Sequence, residues 1–219
     1  MVRAQDIMLT GSAVSKLLLR CQAPVTILRP TAKRPLFIGF TGTSTMADVY
    51  DDVRFFARPW PPEEEDSEAL VHGGFADRTM RLCGEDMLGL LQSNPRAIIA
   101  GHSMGGACAV LVAFWAARLC PHPLHHTVHT MGAPRLGNAA FCEAYRRQGM
   151  WDRTWRHRTP HDPVVKIPPW LRHVGNEVVV PSDARPFLAQ HRLCEYQWSR
   201  ENTTNSEARE RSDCDLAAT

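Results

Sequence analysis

Apolar and polar positions along this chain change their period several times, and each change marks an element. Residues 11–21 place apolar side chains at helical spacing, whereas VTILRP (25–30) and RPLFIGF (34–40) are short apolar runs joined by a polar turn, which predicts two strands. DDVRFFARPW (51–60) predicts a further strand, ended by Pro61-Pro62 and by the acidic run Glu63 to Asp66, which reads as a solvated loop. Residues 75–92 fit one amphipathic helix. Ala97 to Ala100 is a short apolar run that stops at Gly101, and a longer Ala-rich run extends from Met104 to Leu119: a buried strand followed by a helix. A strand over HTVHTMGAP (126–134), a helix near 138–148 and a strand near 154–158 continue the alternation. Alternating strands and helices imply right-handed crossovers and a mostly parallel sheet covered by helices, an α/β fold whose ligand sites gather at the C-terminal ends of the strands. The polar, aperiodic stretch 200–219 predicts a disordered tail, so the expected organisation is an N-terminal helix or extension over 1–24, one α/β domain over 25–199, and that tail.

Composition narrows the classes. With 219 residues, 44% of them hydrophobic, the chain can bury one sizeable core, and no linker divides it into two domains. A formal net charge of +2 gives no ground for a nucleic-acid partner. The segment RRQGMWDRTWRHR (146–158) mixes arginine with tryptophan, but without a nucleic-acid fold signature it reads as a helix end and strand surface. Seven scattered cysteines without a C-x-x-C predict mostly reduced thiols. Asp6, Lys16 and Arg20 interrupt the apolar residues at the start, which argues against a signal-peptide core or a membrane span and leads to the expectation of a cytoplasmic protein.

The chemistry centres on Gly101-His102-Ser103-Met104-Gly105, where the predicted strand turns into the predicted helix. A sharp turn there needs glycines on either side of Ser103, because side chains would collide where helix and strand converge. It also holds the serine in a strained backbone conformation that lifts its hydroxyl clear of the sheet. The first free N–H groups of the helix then point at any oxyanion forming beside that hydroxyl. A serine hydroxyl is a weak nucleophile at neutral pH and needs a base plus a group that orients the base. Asp162, in the Pro-bounded loop HRTPHDPVVKIPP, and His191, in AQHRLCEYQW, follow Ser103 in the order acid then histidine. His102 flanks the serine and should point away from it, His161 neighbours the acid, and His173 precedes alternating valines that suggest a place in the sheet layer, which leaves His191 as the favoured base and His173 as its rival. His122, His125, His126 and His129 invite a metal reading. The prolines among them preclude a helix, and in a strand His125 and His129 would share a face that His126 does not, so no metal is expected there.

The stretches FIGFTGTSTMADVYDD, VHGGF, GHSMGGACA, MGAPRLGNAAF and HDPVVKIPP, followed by His191 and Tyr196, together make the sequence resemble the class 3, fungal-type triacylglycerol lipases of the α/β-hydrolase fold over roughly residues 25–197. The resemblance implies a triad of Ser103, Asp162 and His191. It also implies an oxyanion hole from the N–H groups of Thr43 and Met104 with help from the Thr43 hydroxyl, a short lid over 44–50, and no cofactor. The implied activity is hydrolysis of carboxylic esters of lipids through an acyl-enzyme, with transient contact at a membrane or lipid-droplet surface. A phospholipase, a small-ester esterase and a catalytically silent lipase-like scaffold are the alternatives. Thr41 stands where the family commonly has Arg and Val49 where it commonly has Trp, departures that touch the lid and acyl groove but no catalytic group.

Overall fold

The computed structural model describes residues 23–32, 34–42, 57–64, 67–185 and 187–196, together with Val14, Lys16 and Leu18. Its centre is a six-stranded sheet built from β1 (Val25–Leu28), β2 (Leu36–Phe40), β5 (Ala97–His102), β6 (Thr127–Met131), β7 (Thr154–Arg158) and β8 (Asn176–Val179), side by side in that order. Only β1 runs against its neighbour; the β2–β5, β5–β6, β6–β7 and β7–β8 pairs are all parallel. β3 (Ala57–Pro59) and β4 (Leu70–His72) form a separate antiparallel pair. The helices are α1 (Gly73–Leu82), α2 (Glu85–Ser93), α3 (Met104–Leu119) and α4 (Ala139–Arg147). The mostly parallel α/β architecture is as the alternation predicted.

Strand alternation distributes the core. Leu36, Ile38, Phe40, Ala97, Ile99 and Val128 face α3, while Phe37, Ala100 and Met131 face the other way and pack with Val14, Leu18, Val180 and Tyr196. A parallel sheet of this kind has both faces covered, which is why β2 is buried at all five positions. α3 is apolar all round and buried from Met104 to Ala117, the signature of a helix enclosed by protein rather than lying on a surface.

Three local readings change. The helix expected over 75–92 is two helices, because the chain is extended at Cys83 and Gly84 between them. Of the strand expected over 51–60, Ala57–Pro59 forms β3 and residues 51–56 lie outside the described residues. The acidic run is not merely solvated: the Glu63 carboxylate accepts from Trp115 Nε1 at 3.0 and 3.1 Å, and Glu64 pairs with Arg118, tying the loop to the C-terminal end of α3. Cys83, Cys108, Cys120 and Cys142 are free thiols, whereas Cys194 is disulfide-bonded. Among the described residues no helix is long and apolar enough to cross a membrane. The N-terminal helical reading extends to Val14, Lys16 and Leu18, of which Val14 and Leu18 are buried; the rest of 1–22 and all of 200–219 lie outside the described residues.

Candidate active site

β5 delivers Ser103 to the C-terminal edge of the sheet, and α3 begins at the next residue. Ser103 has φ 55° and is the one non-glycine residue with positive φ among the described residues, as the predicted turn requires. The flanking glycines are there for space. A Cβ on Gly101 would lie 2.0 Å from the Gly105 carbonyl oxygen, and one on Gly105 would lie 2.4 Å from that of Phe40. The turn is pinned from both sides: the Ser103 N–H donates to Met131 O and the Gly106 N–H to Ser103 O, each at 2.9 Å. Met104 is the first residue of α3, so its N–H has no acceptor within the helix and stands at the positive end of the dipole beside Ser103. Gly42 approaches the turn closely, since a Cβ there would be 3.0 Å from Ser103 Cβ. Thr43 and the expected lid at 44–50 lie outside the described residues.

Asp162 and His191 are brought together. Asp162 follows β7 in a loop and is fully buried, and His191 closes a 3₁₀ turn over Phe187–His191. Asp162 Oδ2 lies 2.8 Å from His191 Nδ1, accepts from the Tyr196 hydroxyl at 2.6 Å, and Oδ1 accepts from the Val164 N–H at 2.8 Å. Burial alone would raise the carboxyl's pKa. The hydrogen bond from His191, the imidazole's charge, Tyr196 and the Val164 N–H outweigh it and hold the pKa below the usual value, so Asp162 is an ionised acceptor. Burial, and then the charge and hydrogen bond of Asp162, push the Tyr196 hydroxyl well above its ordinary pKa and keep it a donor. With Nδ1 engaged, the other ring nitrogen of His191 is left buried without a hydrogen-bond partner.

Gly132 brings these parts onto one spot. It follows Met131, whose carbonyl receives the Ser103 N–H, and it has φ +60°. A Cβ at Gly132 would fall 2.7 Å from Tyr196 Oη, 2.8 Å from Asp162 Oδ2 and 2.9 Å from His191 Nδ1. The acid–base pair is thus packed against the residue next to the anchor of the elbow. The MGAP motif carried that signal, but sequence reading gave neither Gly132 nor the Tyr196 hydroxyl a role.

The remaining histidines go elsewhere. His173 is in the loop before β8 rather than in the sheet layer, and its Nε2 donates to Val165 O at 2.8 Å. Burial, with the charge of Arg156, lowers its pKa to about 4. His125 accepts from Arg153, His126 donates to the carbonyls of Leu91 and Asn94, and His129 stacks on His157, so these rings diverge. His125 precedes β6 and shares no strand face with His129, contrary to the alternation assumed for it. Among the described residues no three metal-capable side chains converge. His102, expected only to point away from Ser103, has its Nε2 2.6 Å from the carbonyl oxygen of His191.

A parallel sheet with one antiparallel edge strand, carrying a strained serine between strand and helix beside a buried Asp–His pair, defines the α/β-hydrolase class. Within that class residues 37–172 match the family model described as Lipase (class 3), and the chain belongs to this family. It is 28% identical over 152 residues to a lipase of Rhizopus niveus and 30% identical over 166 residues to phospholipase A1 EG1 of Oryza sativa subsp. indica. These matches cover 65% and 64% of this chain; the chain spans 37% of the length of either relative. The solved triacylglyceride lipase of Rhizomucor miehei superposes with a TM-score of 0.65 at 21% identity, covering 82% of each chain, a likeness of fold.

Proposed function

We propose that this protein hydrolyses carboxylic esters of lipids through an acyl-enzyme. Ser103 attacks the ester carbonyl, His191 takes the proton and returns it to the leaving alcohol, and Asp162 holds the imidazole in the required tautomer and stabilises it when charged. The N–H groups of Met104 and Thr43, with the Thr43 hydroxyl, receive the oxyanion. Water then repeats the sequence on the acyl-enzyme. The observation that carries this reading is the pairing of His191 Nδ1 with Asp162 Oδ2 at 2.8 Å, with the opposite ring nitrogen buried and unpartnered, in a chain whose strand-to-helix turn holds Ser103 at φ 55°. Membership of the class 3 lipases, and likeness to both a lipase and a phospholipase A1, support acylglycerols and phospholipids as the substrate classes. Trp170, 53% exposed on the loop after Asp162, suits a side chain that dips into a lipid surface and supports transient contact with one.

The test is a fluorophosphonate titration with peptide mapping, run beside an ester panel of p-nitrophenyl esters, triacylglycerol emulsions and phosphatidylcholine vesicles. Stoichiometric labelling at Ser103 and turnover of a lipid ester are expected. A protein that neither labels nor turns over any ester is the silent scaffold instead.

A further inference from the structure

His102 occupies the last position of β5, and alternation puts it on the sheet face of Ile98 and Ala100, away from the Gly101 side that meets α3. That face is also where the C-terminal segment returns, because Tyr196 packs in the same cluster as Ala100. The ring of His102 accordingly meets the segment that carries the base. Its centroid is 4.8 Å from that of His191 at an interplanar angle of 33°, and Tyr196 approaches it edge-on at 6.2 Å. A carbonyl oxygen can only accept, so the 2.6 Å contact between Nε2 and His191 O makes His102 the Nε2–H tautomer with a lone pair on Nδ1. On its other side Nδ1 faces Gly42, where a Cβ would be 3.3 Å away. Burial foremost, then the charge of His191, lower the His102 pKa to about 3, so the donor persists across neutral pH without adding a charge beside the base.

The base needs such a brace. Between β8 and His191 the described residues form no strand, so hydrogen bonds hold its end. Thr159 Oγ1 donates to Gln190 O and the His161 N–H to Gln190 Oε1, both at 2.9 Å and both from the acid loop. Those contacts fix His191 relative to Asp162. The bond from His102 ties the His191 backbone to the strand leading into Ser103.

We propose that His102 is a positioning residue that sets the distance between the base and the nucleophile, by holding the His191 carbonyl with its Nε2–H and backing the His191 ring with its own. The proposal rests on the acyl-enzyme reading of the site. His102→Gln keeps an N–H donor near the Nε2 position, His102→Phe keeps a flat ring without the donor, and His102→Leu keeps neither. Misplacement by about an ångström costs roughly a hundredfold in rate, so His102→Leu should lose on that order in kcat on a soluble ester with KM little changed. His102→Phe should fall nearly as far, and His102→Gln should recover most of the loss, in kcat and in the fluorophosphonate labelling rate alike.

A second readout does not depend on turnover: ¹⁵N NMR of the wild-type protein should find His102 in the Nε2–H tautomer and not titrating between pH 5 and 8. A His102 that titrates there or carries its proton on Nδ1 overturns the proposal. So does a folded His102→Gln as slow as His102→Leu, or variants as fast as wild type. Wild-type protein that neither labels at Ser103 nor cleaves esters refutes the acyl-enzyme reading instead, while the NMR result still decides whether His102 holds the segment.

Discussion

Replacement of Gly132 by alanine separates the conformational demand at that position from the contact demand, because Gly149 supplies a matched control. Both glycines have positive φ, +60° and +69°, but a Cβ at Gly149 would meet nothing within 4 Å. Gly149→Ala therefore measures the left-handed conformation alone, about 1–2 kcal/mol. For a chain of this size that is a fall in Tm of roughly 2–8 °C. Gly132→Ala pays the same conformational cost and in addition sets its Cβ at 2.7, 2.8 and 2.9 Å from Tyr196 Oη, Asp162 Oδ2 and His191 Nδ1, each well inside the 3.4 Å at which ordinary contact begins. All three atoms belong to one buried hydrogen-bonded group, so making room stretches the 2.8 Å Asp162–His191 bond or the 2.6 Å Tyr196–Asp162 bond. A hydrogen bond to a charged group contributes about 1.5–3 kcal/mol, so Gly132→Ala should melt several degrees below Gly149→Ala. Its kcat on a p-nitrophenyl ester, and its labelling by a fluorophosphonate, should fall at least a hundredfold, the scale set by an ångström of misplacement. Gly149→Ala should keep wild-type kinetics. The reasoning is refuted if Gly132→Ala melts with Gly149→Ala and labels at the wild-type rate.

Ser103→Gly should abolish labelling and raise the Tm, because glycine occupies φ 55° without the roughly 1–3 kcal/mol of strain that serine bears there; an unchanged or lower Tm counts against stored strain. Tyr196→Phe should destabilise by about 1.5–3 kcal/mol at pH 7, and the penalty should shrink as pH falls towards the carboxylate range. The sign follows from the depressed pKa of Asp162: its contribution is present above the unfolded pKa and is lost as pH falls through the folded one, and loss of Tyr196 brings the two closer. A penalty that stays constant as pH falls below the unfolded carboxyl's 3.8 in chemical denaturation contradicts this. His129 and His157, lowered by burial to about 3 and about 4, stay neutral in the folded protein while the unfolded chain protonates near 6.5. Stability is therefore lost as pH falls from about 6.5, by up to about 1.4 kcal/mol per pH unit for each, and His129→Leu should flatten the slope by that amount. An unaltered slope in the variant refutes the assignment.

The elbow was legible because its requirements are local. Two glycines, a short apolar run and a long one specify a strand–turn–helix whatever surrounds it, and the observed contacts of Gly101 and Gly105 are the collisions anticipated. Asp162 and His191 were picked out by their order along the chain and joined in partnership only through the family resemblance, since their meeting depends on loops that have no period. His102 shows the limit more sharply. Its place beside the serine suggested only that the ring points away from Ser103, and nothing in the residues around it says that the chain returns to meet that ring 89 positions later. The division of 75–92 into two helices had a signal in Gly84, which the apolar periodicity concealed. The link between Glu63 and Trp115 had no local signal, because it joins residues 52 apart.

The convergence on Asp162 also has a consequence for biosynthesis. The groups that neutralise its isolation arrive late in translation, His191 and Tyr196 being 29 and 34 residues further along. Until they dock, a closing sheet would enclose a carboxylate held by little more than the Val164 N–H. An enclosed carboxylate so poorly partnered favours the protonated or the open state. A nascent chain that has displayed the serine turn but not yet the segment carrying His191 and Tyr196 therefore lacks the ionised Asp162–His191 pair.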